Sequence, residues 1–322
     1  MEIELGAAIR TTGHQKATVP HQPDLAKKYK LTVMAGLGVF SLIVVVIVWF
    51  EFQARRISSL EEVVEGLSMR IIGSLPIVPN WMSNGKHTGK KSRHSIVRSI
   101  WTESIDAART VLLRDTALES RKVVMVCSAV GGEGKTTLAC HLATSLARSG
   151  RKTLLVDADM RRSSLHKVFD VEDVPGFCEL LRGDVELEDA LRPVSPEGLQ
   201  LLTAGKINQL ALRALSSDAP VELFKRFKEE FDFIIVDSAP LLPVTDSLLV
   251  GQHVDAALFA IRRDVSRYGK VATACERLAM LGIPLMGAVV IGLDETSYGY
   301  RYPYRYYSYG GYGYNVHSEA HS

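Results

Sequence analysis

The sequence has few cysteines, and they form no metal-binding or redox pattern. No two of them are spaced as Cys-x-x-Cys, and no histidine stands at metal-ligand spacing from them. This scatter excludes a disulfide framework and a zinc site, so we expect reduced thiols in a core. The four cysteines are Cys127, Cys140, Cys178 and Cys275.

The sequence also lacks a strong charge bias, and aromatic residues are scarce except near one end. The formal net charge is +2, so bulk charge gives no indication of nucleic-acid binding. Aromatic residues make up 7% of the chain, yet nine of the eleven tyrosines fall within positions 298–314. Because glycine, proline and arginine separate these rings, residues 295–322 are predicted to form a disordered tail with accessible phenol hydroxyls. The nine are Tyr298, Tyr300, Tyr302, Tyr304, Tyr306, Tyr307, Tyr309, Tyr312 and Tyr314.

One long apolar segment departs from the composition of a soluble domain. Residues 31–50 contain no charged side chain, and as a helix they would span about 30 Å, the thickness of a bilayer's hydrocarbon core. The run is apolar on every face, unlike most buried core helices, and it is too long for a signal peptide. We therefore predict one transmembrane helix over 31–50, preceded by a disordered segment over 1–30.

The rest of the chain divides into a linker and one large domain. Residues 51–94 are predicted to form a juxtamembrane helix, as far as Ile72, and then a basic linker rich in glycine, proline and serine. In 95–294, short β-branched runs alternate with helical stretches such as Thr136–Ser149 and Ala219–Glu230. This alternation predicts an α/β fold with a mostly parallel sheet and helices on both faces, and the glycine-rich sequence SAVGGEGKTT after the first strand makes it like that of P-loop NTPases. The predicted strands are Lys122–Cys127, Thr153–Val156, Leu199–Thr203, Phe233–Val236, Ala256–Ile261 and Met286–Ile291.

A phosphate-binding loop follows the first predicted strand and reads SAVGGEGKTT over residues 128–137. Its glycines let backbone N–H groups converge on phosphate oxygens, where side chains would obstruct them. Lys135 is predicted to reach the β- and γ-phosphates of ATP, and the Thr136 hydroxyl to bind Mg²⁺. Ala129 departs from the strict pattern, which has glycine there. The predicted nucleotide-binding residues are Gly131, Gly132, Glu133, Gly134, Lys135, Thr136 and Thr137.

Aspartates follow two further predicted strands. Asp157 and Asp159 come at the end of one, and Asp237 at the end of another. The carboxyl ends of parallel strands meet at one edge of a sheet, so we expect these three carboxylates beside the phosphate-binding loop. A single aspartate after a strand is usually a helix cap or a turn residue. Three beside a phosphate loop are better explained by metal binding and proton transfer.

The chain resembles the bacterial tyrosine kinases, which are autokinases of polysaccharide synthesis and export. The resemblance covers about residues 71–314 and rests on four features in order: the phosphate loop, the strand ending in Asp157-Ala-Asp159-Met-Arg161, the strand ending in Asp237, and the tyrosine-rich tail. It implies that Asp237 holds Mg²⁺, that Asp157 accepts the tyrosine proton and that Asp159 supports the metal. Lys135, Asp157 and Asp159 are thus the predicted catalytic residues, and Thr136, Asp159 and Asp237 the predicted metal ligands.

The resemblance also implies partners. Family members assemble into rings through a first helix patterned Glu-x-x-Arg-x-x-Arg, and each subunit phosphorylates its neighbour's tail. Here the pattern corresponds to Glu103, Asp106 and Arg109, so an aspartate replaces the first arginine. Ile291 stands where the family often has asparagine near the adenine. We find no counterpart in this sequence of the extracytoplasmic domain that is common in members from Gram-negative bacteria; two explanations stay open, that a separate chain-length-determinant membrane protein supplies it or that the gene is abbreviated.

The charges beside the apolar segment conflict with the expected location. Lys16, Lys27, Lys28 and Lys30 precede it, whereas only Arg55 and Arg56 follow it closely, which favours a cytoplasmic N-terminus. ATP is cytosolic, however, and the bias is small. We therefore predict a single-pass protein of the bacterial inner membrane with its kinase domain in the cytoplasm.

Two alternatives remain open from the residues. A partitioning or cell-division ATPase has the same fold and hydrolyses ATP without phosphorylating protein. Such ATPases place a second lysine before the paired glycines, where this chain has Val130, and they lack a tyrosine-rich tail. A tail that stacks on single-stranded nucleic acid is the other alternative. The seventeen residues of 298–314 contain two arginines, Arg301 and Arg305, which is too few basic side chains to bind a phosphate backbone. We therefore predict no nucleic-acid partner. The sequence alone does not choose between phosphorylation in cis and in trans.

Overall fold

The computed structural model describes residues 25–76 and 91–293. The described residues divide into two compact units, one up to Gln53 and one from Ala54. The predicted disorder of 1–30 and 295–322, most of the basic linker and all nine tail tyrosines lie outside the described residues, so those expectations stay predictions.

The first unit contains one long helix, α1 (Leu25–Ala54). Its segment Lys28–Glu51 has a mean hydropathy of 2.8 and no buried residue, and is long and apolar enough to cross a membrane. Its apolar side chains are exposed all around the helix, as they are in Leu37, Val45 and Phe50. A helix over the predicted 31–50 is therefore confirmed, and it continues for several residues at both ends.

The second unit is built on one eight-stranded sheet. The strand order is β1-β8-β7-β2-β6-β3-β5-β4. Every pair is parallel except β4 with β5 at one edge. The predicted α/β fold with a mostly parallel sheet is thus confirmed. The strands are β1 (Ile71–Pro76), β2 (Val123–Cys127), β3 (Thr153–Ala158), β4 (Leu191–Val194), β5 (Leu199–Leu202), β6 (Phe233–Ser238), β7 (Ala256–Arg262) and β8 (Leu285–Leu293).

Helices cover both faces of this sheet and create two cores. Strand β2 contributes Val123, Met125 and Cys127 to one core, and Val124 and Val126 to the other. Successive side chains of a strand point to opposite faces, so a strand that is apolar throughout must be covered on both. The helices of this unit are α2 (Lys91–Glu119), α3 (Lys135–Arg148), α4 (Leu165–Phe169), α5 (Phe177–Arg182), α6 (Leu187–Ala190), α7 (Gln209–Ala214), α8 (Ala219–Glu230), α9 (Asp246–Gly251) and α10 (Tyr268–Met280).

The cysteines agree with the expectation drawn from their spacing. All four are free thiols. Cys127 and Cys178 lie in one core and Cys140 in the other, whereas Cys275 is half-buried. Burial raises the pKa of Cys178 to about 12 and that of Cys275 to about 11, so these thiols stay protonated at neutral pH.

The predicted juxtamembrane helix over residues 51–72 is wrong beyond Ala54. The chain leaves α1, the Ile57 N–H donates to the Ser266 carbonyl at 2.9 Å, and a π-helical turn follows at Glu62–Gly66. Residues 71–76 then form β1, parallel to β8. The sheet-containing unit therefore begins at Ala54, not at residue 95, and α2 begins at Lys91.

Packing against α2 explains why this short segment is a strand. A Cβ on Gly73 would lie 2.7 Å from the Ala108 Cβ, so only glycine allows the strand and the helix to approach this closely. The Trp101 indole N–H donates to the Pro76 carbonyl at 3.2 Å. Glycine and proline indicate a loop in the local sequence, but here α2 makes them compatible with an edge strand.

Candidate active site

The phosphate-binding loop connects β2 to α3, as the sequence predicts. Gly132 and Gly134 have φ angles of 85° and 94°, in the left-handed region that favours glycine, and Gly134 caps α3. A Cβ on Gly134 would lie 2.7 Å from Ile291 Cδ1, so that position also lacks space for a side chain. The loop thus presents its backbone, and not side chains, at the N-terminus of a fourteen-residue helix.

Glu133 is buried inside this loop and stabilises its shape. Its Oε2 accepts a hydrogen bond from the Val130 N–H at 2.8 Å. Burial raises the pKa of Glu133, although the Ser266 hydroxyl and the Val130 N–H oppose that shift. The carboxylate is therefore buried in the loop and not exposed to a ligand. The backbone N–H is the group of Glu133 that could contact a phosphate.

Lys135 lies between two of the predicted carboxylates. Its Nζ is 2.9 Å from Asp159 Oδ2 and 3.6 Å from Asp237 Oδ1, and it donates to Thr136 Oγ1 at 3.2 Å. Burial alone would lower the pKa of Lys135, but the charges of Asp237 and Asp159 more than offset burial and raise it. The Lys135 amine is therefore protonated at neutral pH, and these contacts hold it beside the phosphate-binding loop.

Asp157 and Asp237 occupy paired positions on neighbouring parallel strands, β3 and β6. Asp157 is fully buried, and its Oδ2 accepts the N–H groups of Ser164 and Leu165, each at 3.1 Å. Its Oδ1 accepts the Asp159 N–H at 3.2 Å. Burial raises the pKa of Asp157 to about 6, with these three N–H groups opposing the shift. Asp157 thus holds the turn that leads from β3 into α4.

Asp237 is fully buried and, among the residues that the structure describes, neither of its oxygens accepts a hydrogen bond. Burial raises the pKa of Asp237 to about 7, while the charge of Lys135 and the nearby Thr136 hydroxyl oppose the shift. A buried carboxylate without hydrogen bonds is costly unless a cation or a proton neutralises it. The Lys135 ammonium, 3.6 Å away, offsets part of this cost, and the two carboxylate oxygens, which accept no hydrogen bond among the described residues, could also bind a cation that arrives with a nucleotide.

The carboxylates do not form a metal cage by themselves. Within residues 25–76 and 91–293, no group of three or more His, Cys, Asp or Glu side chains is arranged to hold an ion. Mg²⁺ does not require such a group, because it is usually held by one or two carboxylates together with substrate phosphates. Thr136, Asp237 and Asp159 provide one hydroxyl and two carboxylates around Lys135, which fits that requirement.

Two arginines make contacts at this site that the local sequence does not predict. Arg161, part of the motif after β3, pairs with Asp246 through Nε at 2.6 Å and Nη2 at 3.2 Å, which fixes the turn to the start of α9. Arg262, the last residue of β7, donates through Nη1 to the Gly132 carbonyl at 3.3 Å. These partners are 85 and 130 residues apart in sequence, so no local pattern indicates either contact. Thr137, predicted to bind nucleotide, has an exposed side chain on the first turn of α3.

Comparison with known proteins assigns the family. The AAA domain family matches residues 121–253. The tyrosine-protein kinase YwqD of Bacillus subtilis is 30% identical over 227 residues, which cover 68% of this chain and 96% of YwqD. The chain belongs to the bacterial tyrosine kinase family. The resemblance inferred from the motifs is thereby confirmed, and the fold is one that binds nucleotides.

Longer relatives and a solved structure agree with this membership. The putative tyrosine-protein kinase EpsB of Ralstonia nicotianae is 28% identical over 308 residues, 92% of this chain but only 41% of EpsB. The chain thus spans about two fifths of the length of that family member. The BceF tyrosine kinase domain superimposes with a TM-score of 0.65 at 26% identity, and the match covers 74% of this chain and 99% of that domain.

Proposed function

We propose that the chain is a membrane-anchored, ATP-dependent protein-tyrosine autokinase that phosphorylates its C-terminal tyrosine cluster in trans. The family supports the reaction class, and the carboxylates around Lys135 support phosphoryl transfer.

The end of β8 is the observation that carries this proposal. β8 runs parallel to β2, β3 and β6 through the shared sheet, so Leu293 leaves at the edge where the phosphate loop, Asp157 and Asp237 lie. Tyr298 follows five residues later in the sequence. The last described strand therefore ends at the active-site edge, which supports the tyrosines that follow it in the sequence as the substrate.

Binding and charge stabilisation are assigned to the phosphate loop and Lys135. Backbone N–H groups from Gly131 to Thr137 bind the phosphates of ATP at the N-terminus of α3, where the helix dipole favours negative charge. The Lys135 ammonium neutralises charge on the γ-phosphoryl as the bond to the β-phosphate oxygen breaks. Asp159 positions that ammonium through its 2.9 Å contact.

Asp157 is the proposed proton acceptor. A tyrosine hydroxyl has a pKa of about 10, so it needs a base as its oxygen attacks phosphorus and ADP leaves. A carboxyl with a pKa of about 6 is ionised at neutral pH and is a stronger base than an ordinary aspartate. Oδ1 has the free acceptor capacity, because it accepts one N–H group and Oδ2 accepts two. Asp157 is fully buried, so the residues that cover it must move before a tyrosine can reach Oδ1.

Mg²⁺ is the proposed cofactor, with Thr136, Asp237 and Asp159 as its protein ligands. When bound, it supplies neutralisation of charge on the β- and γ-phosphates. The support is the buried Asp237 carboxylate, which has no hydrogen-bond partner among the described residues.

The membrane location and partners are proposed from α1 and the family resemblance. We place α1 in the bacterial inner membrane and the kinase unit in the cytoplasm, where ATP is available. The resemblance supports a role in exopolysaccharide or capsule synthesis and export, with a separate chain-length-determinant membrane protein as partner.

Transfer in trans requires two copies to meet, so we propose a homo-oligomer, with a ring as one form. Two of the residues at the ring-motif positions, Asp106 and Arg109, make contacts within their own chain. The Arg109 guanidinium donates to the Ser145 carbonyl at 3.1 Å, and Asp106 accepts hydrogen bonds from Ser145 and from Arg148. Both motif residues therefore fasten α2 to α3 of their own chain, while Glu103 is exposed.

A mixing experiment tests the reaction and its trans character together. A full-length Lys135→Met chain serves as substrate, and a full-length chain with all nine tail tyrosines changed to phenylalanine serves as enzyme, both in detergent with ATP and Mg²⁺. We expect phosphotyrosine on the Lys135→Met chain only when the two are mixed. If the mixture stays unlabelled while the wild type labels itself, transfer is in cis. ATP turnover without phosphotyrosine in the wild type would instead indicate an ATPase.

A further inference from the structure

Arg262 contacts the phosphate loop through a solvent-exposed hydrogen bond to the Gly132 carbonyl, and none of the motifs above includes it. We propose that Arg262 is a positioning residue for nucleotide binding: it fixes the peptide between Gly132 and Glu133 so that the Glu133 N–H faces the phosphates. This inference rests on the proposed nucleotide site and adds a residue to it.

The strand end that carries Arg262 is rigid and adjacent to the loop. β7 pairs with β2, the strand that leads directly into the loop, with Cys127 opposite Phe259. The Arg262 backbone N–H donates to the hydroxyl of the buried Ser266 at 2.9 Å. Its guanidinium therefore reaches the Gly132 carbonyl, at 3.3 Å, from an anchored backbone.

Peptide geometry connects this contact to the phosphates. In a trans peptide the C=O and N–H groups point in opposite directions. A guanidinium that holds the Gly132 oxygen at this solvent-exposed contact therefore directs the Glu133 N–H away from Arg262. Gly132, with φ at 85°, lacks a side chain that would restrict rotation of this peptide, so an external contact is needed to define its orientation.

Other contacts hold the loop on either side of this peptide, whereas the Arg262 hydrogen bond is made to the peptide itself. Glu133 Oε2 fixes the Val130 N–H before it in the loop, and Ile291 packs against Gly134 after it. Ile291 pairs with Arg262 across β7 and β8, so the two strand ends form one wall beside the loop. Among the described contacts of this loop, the Arg262 hydrogen bond is the one made to the Gly132 carbonyl.

Binding of Mg²⁺–ADP to the full-length chain in detergent tests the proposal. Arg262→Met keeps a long apolar stem but removes the donor, so the Kd should rise about 10-fold, equivalent to about 1.4 kcal/mol. Arg262→Lys retains a cationic donor, and its Kd should stay within about 3-fold of the wild type. With ATP, Arg262→Met should raise KM about 10-fold and change kcat less than about 2-fold, the signature of lost ground-state binding.

Arg213→Met, at an exposed arginine of α7, is the matched control and should leave the Kd unchanged. A general loss of folding would instead lower kcat together with the melting temperature. The proposal is overturned if Arg262→Met binds ADP like the wild type, or if Arg262→Lys is as weak as Arg262→Met. A wild type that binds no nucleotide would refute the nucleotide site itself, and with it the proposed function.

Discussion

Replacing Lys135 by methionine should reduce kcat/KM for tyrosine phosphorylation by about 100- to 1,000-fold, the cost of losing one preorganised charge contact to a transferring group. The ammonium lies within 4 Å of Asp159 and Asp237, so its removal also leaves two carboxylates without their cation. The uncompensated negative charge of these carboxylates further disfavours the approach of the anionic phosphates. Initial rates of phosphotyrosine formation, measured on the full-length chain with Mg²⁺ and ATP, give the size of the loss.

Lys225→Met is the matched control, because Lys225 is an exposed lysine of α8, away from the phosphate loop. It should retain the wild-type rate. Circular dichroism and thermal melting must show that Lys135→Met is folded. Appreciable phosphorylation by a folded Lys135→Met chain would contradict the role assigned to this ammonium.

Replacing Asp237 by asparagine should have opposite effects on activity and stability. Activity should fall by about 100-fold or more, because a carboxylate proposed to hold Mg²⁺ is lost. Without nucleotide or divalent cation, however, the variant should melt at a higher temperature than the wild type at pH 8. Burial raises the pKa of Asp237 from its ordinary 3.8 to about 7, with the attraction of Lys135 already included in that value, so the stability recovered at pH 8 should be on the order of 4 kcal/mol.

The pH dependence identifies the cause of that gain. Because the pKa of Asp237 is higher in the folded protein than its ordinary value, the folded state binds the proton more tightly. The wild type therefore loses stability as pH rises from about 4 through about 7. Asparagine resembles the protonated carboxyl, so the advantage of Asp237→Asn should be full at pH 8 and small at pH 4.5. Asp218→Asn, at an exposed aspartate before α8, is the control and should show no such change. A variant less stable than the wild type at pH 8 would contradict the interpretation of Asp237 as a destabilising buried charge.

The sequence predicts the centre of this site well for a physical reason. β2 is apolar throughout, and β3 and β6 are mostly apolar up to their aspartates, because both faces of the sheet are covered; the strand ends are therefore visible in the sequence. Parallel strands bring those ends to one edge, so the sequence alone predicts that Asp157 and Asp237 lie near Lys135. The register that places the two aspartates opposite each other comes from the structure alone.

Features that depend on distant partners could not be predicted in the same way. β1 is short and contains Gly73 and Pro76, and it becomes a strand because α2 and β8 cover it. β4 contains Pro193 and pairs antiparallel at the sheet edge, where the missing N–H is tolerated. The raised pKa values of Asp157 and Asp237 are consequences of burial and are not visible in a sequence pattern.

The most direct test of the central claim is to map phosphate on the full-length chain by mass spectrometry after incubation with ATP and Mg²⁺. If the chain's own ATP site phosphorylates its tail, phosphotyrosine will appear within residues 298–314 of the wild type and will be absent from Lys135→Met incubated alone. Consumption of ATP by the wild type with all nine tail tyrosines unmodified would contradict the claim.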